Sequence, residues 1–143
     1  MNRFVIDASV AVKWLPLFAH EPYVGEAQRY LERRAVGEIA LLVPGFFWVE
    51  VANVLWKAVR RRICQPTEGK AALETLSGLD LPTLSSTALV TPALDLALRH
   101  DRSVYDSLYV ALAVRQNAQL VTADERLANA LGGHLPVKWL GAI

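Results

Sequence analysis

Three observations predict an α/β fold in which a central parallel sheet is covered by helices on both faces. Short apolar runs alternate along the chain with segments whose apolar residues recur at helical spacing. The runs FVI at Phe4 to Ile6 and IALLV at Ile39 to Val43 carry no polar alternation, as expected of strands buried on both sides. Proline and glycine then punctuate the boundaries, at Pro16, Pro44, Gly45, Pro66, Gly78, Gly132 and Gly133.

The elements follow in order. Phe4 to Ile6 forms a strand bounded by Asp7, and Ser9 to Leu15 a short helix that Pro16 ends. Glu21 to Val36 reads as a second helix, with Val24, Ala27, Leu31 and Ala35 on one side and Arg29, Glu32, Arg33 and Arg34 mostly on the other. After the strand Ile39 to Val43, the residues Val49, Ala52, Leu55, Trp56 and Val59 mark a helix from Phe46 to Arg62. Its closing cluster Arg60, Arg61, Arg62 suits the negative end of the helix dipole. Pro66 opens a helix through Leu76, and Leu81 to Leu84 is a third strand weakened by Pro82. Helices at Pro92 to Arg99 and Ser103 to Gln116 precede a fourth strand, Gln119 to Thr122. A helix at Asp124 to Leu131 and a fifth strand, Val137 to Leu140, complete the series.

Composition narrows the function. The chain has 143 residues, 53% hydrophobic and 20% charged, which is the size of one globular domain, here spanning 1–143. No linker, repeat or low-complexity stretch divides it. The nearly apolar stretch from Ile39 to Val49 is too short for a membrane span, and MNRFVIDASV lacks the apolar core of a signal peptide, so a cytoplasmic protein is expected. A single cysteine, Cys64, excludes an intrachain disulfide and a four-cysteine zinc site, and His20, His100 and His134 are far apart. The net charge of +1 neither demands nor forbids a nucleic-acid partner.

Four acids stand apart from the rest. Asp7 ends the first strand and Asp124 follows the fourth, while Glu50 and Asp106 are the only charges within PGFFWVEVANVLW and SVYDSLYVALAV. Burying an unpaired carboxylate costs several kcal/mol, so Glu50 and Asp106 require a compensating partner. Each acid alone has an ordinary reading: Asp7 and Asp124 as helix caps, Glu50 and Asp106 as carboxylates near helix N-termini. Jointly they point elsewhere. In a parallel sheet the functional crevice lies beyond the carboxyl ends of the strands, where Asp7, Glu50 and Asp124 all fall; Asp106 is the least determined by topology. Oxygen donors without His or Cys select a hard cation, Mg²⁺ or Mn²⁺, and with it phosphate chemistry.

The stretches VIDASVAVKWL, WVEVANVLW, SVYDSLYVALA and LVTADERL, in that order, resemble the PIN-domain nucleases, and within them the VapC-like toxins of toxin/antitoxin pairs. The resemblance spans nearly the whole chain, and its acidic quartet falls on Asp7, Glu50, Asp106 and Asp124. It implies a three-layer sandwich with strand order 3-2-1-4-5, a Mg²⁺-dependent endoribonuclease, an RNA substrate, an inhibiting antitoxin and a homodimer. It also places a small hydroxyl near the metal at Ser9 and Thr122 and an amide at Asn53. The ordinary alternative for these three is local service to the backbone.

Lys13 and the run Arg60, Arg61, Arg62 are candidates to contact RNA phosphates, with Arg99 and Arg102 behind them; solvated helix-end charges are the alternative reading. Trp48, Trp56, Tyr105 and Tyr109 occupy core-like helical positions. Trp14, Leu17, Phe18 and Trp56 are apolar enough to form a partner surface. Two other functions share the same residues: housekeeping RNA processing, and a metal-stabilised binding module without catalysis. A receiver-type phosphoacceptor lacks its aspartate in LPTLSS, and no G-x-S-x-G supports serine chemistry.

Overall fold

The computed structural model describes residues 1–142. Five strands, β1 (Asn2–Ile6), β2 (Ile39–Pro44), β3 (Thr83–Leu84), β4 (Gln119–Thr122) and β5 (Val137–Trp139), form one sheet in the order β3-β2-β1-β4-β5. All four pairings are parallel, and β1 is central, with Phe4 opposite Leu41 on one side and Gln119 on the other. This is the order that the family resemblance implies. The connecting helices are α1 (Ala8–Ala11), α2 (Val24–Ala35), α3 (Phe46–Arg60), α4 (Pro66–Ser77), α5 (Val90–His100), α6 (Val104–Arg115) and α7 (Glu125–Leu131).

Helix α6 is the inner layer on one side. It packs against β1, β2 and β4 with one flank and α5 with another, so every residue from Ser107 to Ala113 is buried. A helix enclosed this way needs apolar residues all round rather than a stripe. Among the described residues, no helix is long and apolar enough to cross a membrane.

The elements depart from expectation where side chains intervene. The first helix ends at Ala11 and continues as 3-10 turns at Val12–Trp14 and Pro16–Phe18. The second begins at Val24 rather than Glu21. The Glu21 carboxylate and the Pro22 carbonyl turn back onto the Lys13 ammonium, and Tyr23 takes a left-handed conformation with φ 63°. Helix α3 stops at Arg60, with Arg62 left-handed at φ 60° and the Ile63 N–H donating to the Ala58 carbonyl at 2.9 Å. That is a Schellman closure made without glycine. The same closure after α2 uses Gly37, at φ 79°. Helix α5 starts two residues before Pro92, because the first turn of a helix has no use for the missing N–H. Strand β3 shrinks to two residues, with Pro82 contributing only its carbonyl, which accepts the Val43 N–H at 3.0 Å.

Candidate active site

All four acids reach the carboxyl edge of the sheet. Asp7 leaves β1 with its side chain buried, and its Oδ1 accepts the Val10 N–H at 3.3 Å and the Ser9 hydroxyl. Its carboxyl is pushed up to about 6, by burial first and the Glu50 charge second, against the lowering effect of hydrogen bonds from Ser9, Thr122 and the Val10 N–H. Glu50 lies in the second turn of α3, half-buried, and accepts a hydrogen bond from the Tyr109 hydroxyl of α6. Its carboxyl is also raised, by burial first, then lowered by Tyr109 and raised by Asp106.

Asp106 sits in the first turn of α6, its own N–H capped by the Ser103 hydroxyl at 3.1 Å. Burial and the Asp124 charge raise its carboxyl, against the lowering effect of Arg102. Asp124 is exposed at the exit of β4. Its Oδ1 accepts the Leu127 N–H at 3.2 Å and its own N–H donates to Thr122 Oγ1 at 3.0 Å. Asp7 and Asp124 therefore do cap α1 and α7. In both, the capping bond uses Oδ1, so the ordinary reading and the site reading are compatible.

Electrostatically the acids form a chain: Asp7 with Glu50, Glu50 with Asp106, Asp106 with Asp124. The salt bridges among the described residues, Lys13–Glu21 and Arg33–Glu38, involve none of them. No three His, Cys, Asp or Glu side chains among the described residues are already arranged around a common point as a metal cage. The fit to a cation rests on the donors themselves. They are oxygen-only, mutually repelling, and at Asp7 buried without a cationic partner, which is the chemistry a hard divalent ion satisfies.

The remaining candidates separate into those at this edge and those away from it. Ser9 donates to Asp7 and accepts the Ala123 N–H at 3.1 Å, which ties the β1 exit to the β4 exit. Thr122 is fully buried between Asp7 and Asp124. Asn53 is exposed and lines a cleft with Glu50. Lys13, by contrast, is buried, and its Nζ is held by Glu21 at 3.1 Å and the Pro22 carbonyl at 2.8 Å. Its ammonium is committed to the start of α2. Arg60, Arg61, Arg62 and Arg99 are exposed, with Arg60 stacked over Trp56 at 5.0 Å. Arg102 donates to the Arg126 carbonyl at 3.2 Å beside Asp106.

Several aromatic assignments change. Trp56 and Tyr105 are not core residues but 53% and 61% exposed. Trp14 and Phe18 are core rather than partner surface, and the Trp14 indole donates to the Ala27 carbonyl at 2.8 Å. Tyr109 is buried as expected, but its hydroxyl positions Glu50, a role that sequence reasoning missed. The available signal was its spacing: three residues after Asp106 it shares a helix face with that acid, and a buried phenol needs a polar partner.

Comparison with known proteins agrees with this architecture. The family described as PIN domain matches residues 4–131. The chain belongs to the PIN-domain family. Within it, the chain is 41% identical over 129 residues to Ribonuclease VapC3 of Pyrobaculum aerophilum, covering 88% of this chain and 92% of that one. It is 37% identical over 134 residues to Ribonuclease VapC1 of Mycobacterium tuberculosis, covering 92% and 93%. Among solved structures, VapBC2 from Rickettsia felis bound to a promoter DNA fragment superposes with a TM-score of 0.70 at 14% identity, covering 96% of this PIN-domain chain and 98% of the other. At that identity the likeness speaks for the fold.

Proposed function

We propose that this PIN-domain protein is a metal-dependent endoribonuclease that acts as the toxin of a toxin/antitoxin pair. The observation that carries the reading is the convergence of Asp7, Glu50, Asp106 and Asp124, from four separate segments, on one sheet edge without a salt bridge. The relatives named ribonucleases support the substrate class. Asp7, Asp106 and Asp124 would hold Mg²⁺, or Mn²⁺ in its place. When bound, such an ion supplies charge neutralisation at phosphate oxygens and lowers the pKa of water.

The chain's own groups account for the rest. Glu50, oriented by Tyr109 and with its carboxyl raised, is suited to orient the attacking water and accept its proton. Ser9 and Thr122 hold the Asp7 carboxylate in place. Hydrolysis by in-line water leaves a 5′-phosphate and a 3′-hydroxyl. The exposed Arg60, Arg61 and Arg62 offer phosphate contacts, whereas Lys13 is spent on folding. The protein acts in the cytoplasm in this reading, as one domain and as a homodimer. An antitoxin partner is supported by the VapBC architecture of its structural neighbour and by exposed apolar residues such as Leu94, Leu98 and Val114.

The test is cleavage of a mixed RNA panel by purified protein, with Mg²⁺ or with chelator, beside an Asp7→Asn control. Mg²⁺-dependent cutting that the control lacks is the expected result. A 2′,3′-cyclic phosphate product overturns the water mechanism, because it requires the ribose hydroxyl as nucleophile. Metal-dependent melting without cutting of any RNA favours a binding module instead. Growth arrest on expression, relieved by the neighbouring gene's product, separates a toxin from a housekeeping nuclease.

A further inference from the structure

We propose that the exposed ring of Tyr105, backed by Phe46, is a stacking platform for one unpaired nucleobase beside the phosphate that the acids act on. This rests on the ribonuclease reading above and adds to it a residue that governs which RNA is bound. Phe46 opens α3 and Tyr105 lies in the first turn of α6, and their rings stack nearly parallel, with centroids 5.1 Å apart and planes 14° from parallel. Phe46 leans on the core, so the pair is anchored on one side. On the other, Tyr105 is left 61% exposed. A tyrosine recruited for packing alone would be buried there, as Tyr109 is one turn further on.

The rings border a cleft of about 320 Å³ lined by Phe46, Val49, Glu50, Asn53 and Tyr105. Three of its α3 residues, Phe46, Val49 and Asn53, follow one another at helical spacing, which gives the cleft two apolar walls and one amide. Val49, one helical turn along α3 from Phe46, is itself 63% exposed. An aromatic plane recognises any base by its face, and an amide with both donors and an acceptor reads a base edge. Glu50 belongs both to this cleft and to the acidic chain, and Tyr105 directly precedes Asp106. A base seated here therefore adjoins the scissile phosphate. Because its face must be free, that base cannot be stacked in a duplex.

The experiment compares wild type, Tyr105→Ala, Tyr105→Phe and Tyr105→Trp on an RNA oligonucleotide that the protein cuts. The same oligonucleotide is also made with each base next to the cut replaced in turn by an abasic residue. Tyr105→Ala should raise KM about 10-fold, in the range of a lost base stack, with kcat nearly unchanged and melting close to wild type. Tyr105→Phe and Tyr105→Trp should retain the wild-type KM. One abasic substrate should carry the same KM penalty on wild type and no further penalty on Tyr105→Ala.

An unchanged KM in Tyr105→Ala, or a Phe variant as weak as the Ala variant, overturns the platform while leaving the ribonuclease intact. Additive effects of variant and abasic substrate do the same. If Tyr105→Ala weakens only the binding of a co-expressed protein partner, the cleft serves protein recognition and the inference is wrong. A wild-type protein that cuts no member of the mixed RNA panel and quenches 2-aminopurine in none of its single-stranded members overturns both this inference and the reading beneath it.

Discussion

The phenol of Tyr109, buried in α6, donates a hydrogen bond to the Glu50 carboxylate of α3, 59 residues away in sequence. The bond joins the helices on either side of the acidic edge, and it positions a carboxylate that, unlike those of Asp7 and Asp124, caps no helix. The Tyr109 hydroxyl is itself pushed well above its ordinary pKa by burial and by Glu50, so it stays protonated as a donor. Removing the hydroxyl in Tyr109→Phe should cost about 1–2 kcal/mol of stability, seen in a urea titration, because Glu50 is left half-buried with no donor. Cleavage should fall as well, and its acid limb should move to higher pH, since Tyr109 lowers the Glu50 pKa.

Asp7 makes folding depend on pH. Its carboxyl titrates near 3.8 when exposed and near 6 in the folded chain, so between those values the folded state holds a proton that the unfolded state releases. The contribution of this group to stability is therefore most favourable at low pH and is lost as pH rises from about 4 to 6, by about 3 kcal/mol. Glu50 and Asp106, also raised, act in the same direction. Denaturation in chelator across this range should show the loss, and Asp7→Asn should remove much of it. Adding Mg²⁺ at pH 7 should raise the melting temperature of wild type and leave Asp7→Asn nearly unmoved.

Asp124 serves as a cap and as a member of the acidic edge, and the two roles are separable. Asparagine caps a helix about as well as aspartate, so Asp124→Asn should melt within about 0.5 kcal/mol of wild type, whereas Asp124→Ala should lose about 1 kcal/mol. Both should lose cleavage by about 100-fold or more if the charge is what the reaction needs. Full activity in Asp124→Asn would reduce this residue to its cap.

Lys13 and the arginine run should respond oppositely to salt and to heat. Lys13→Met removes the cation held by Glu21 and the Pro22 carbonyl, and should cost about 1–3 kcal/mol while leaving the salt dependence of RNA binding unchanged. Neutralising Arg60 and Arg61 should flatten that dependence with little effect on melting. A flattened slope in Lys13→Met would return that residue to the RNA surface.

Arg62 carries a backbone cost that glycine would relieve. Its left-handed φ of 60° closes α3 as Gly37 closes α2, so Arg62→Gly should raise stability by about 0.5–1 kcal/mol in thermal melts.

The strands themselves, and Asp7, Glu50 and Asp124 at their carboxyl edge, were legible because they depend on patterns the chain carries locally, whereas the strand order came from the family resemblance. Buried parallel strands must be apolar throughout, and a lone acid in an apolar helix such as Glu50 or Asp106 is conspicuous wherever the helix goes. The helix bounds were less legible, since Glu21 leaves its helix for Lys13 and Arg62 bends away from α3 through bonds to residues that spacing does not reveal. The assignments of Trp56 and Tyr105 to the core failed for a related reason. Tyr105 and Tyr109 lie on one helix with the same apolar context, yet one is exposed on Phe46 and the other buried against Glu50. By itself, the sequence determined that Asp7, Glu50 and Asp124 fall at one edge of a parallel sheet and that Asp106 is a lone acid in an apolar helix, while the structure brought Asp106 to the same edge. Only the tertiary structure decided which side chains hold them there, because those contacts join segments whose relative orientation is set by packing rather than by periodicity.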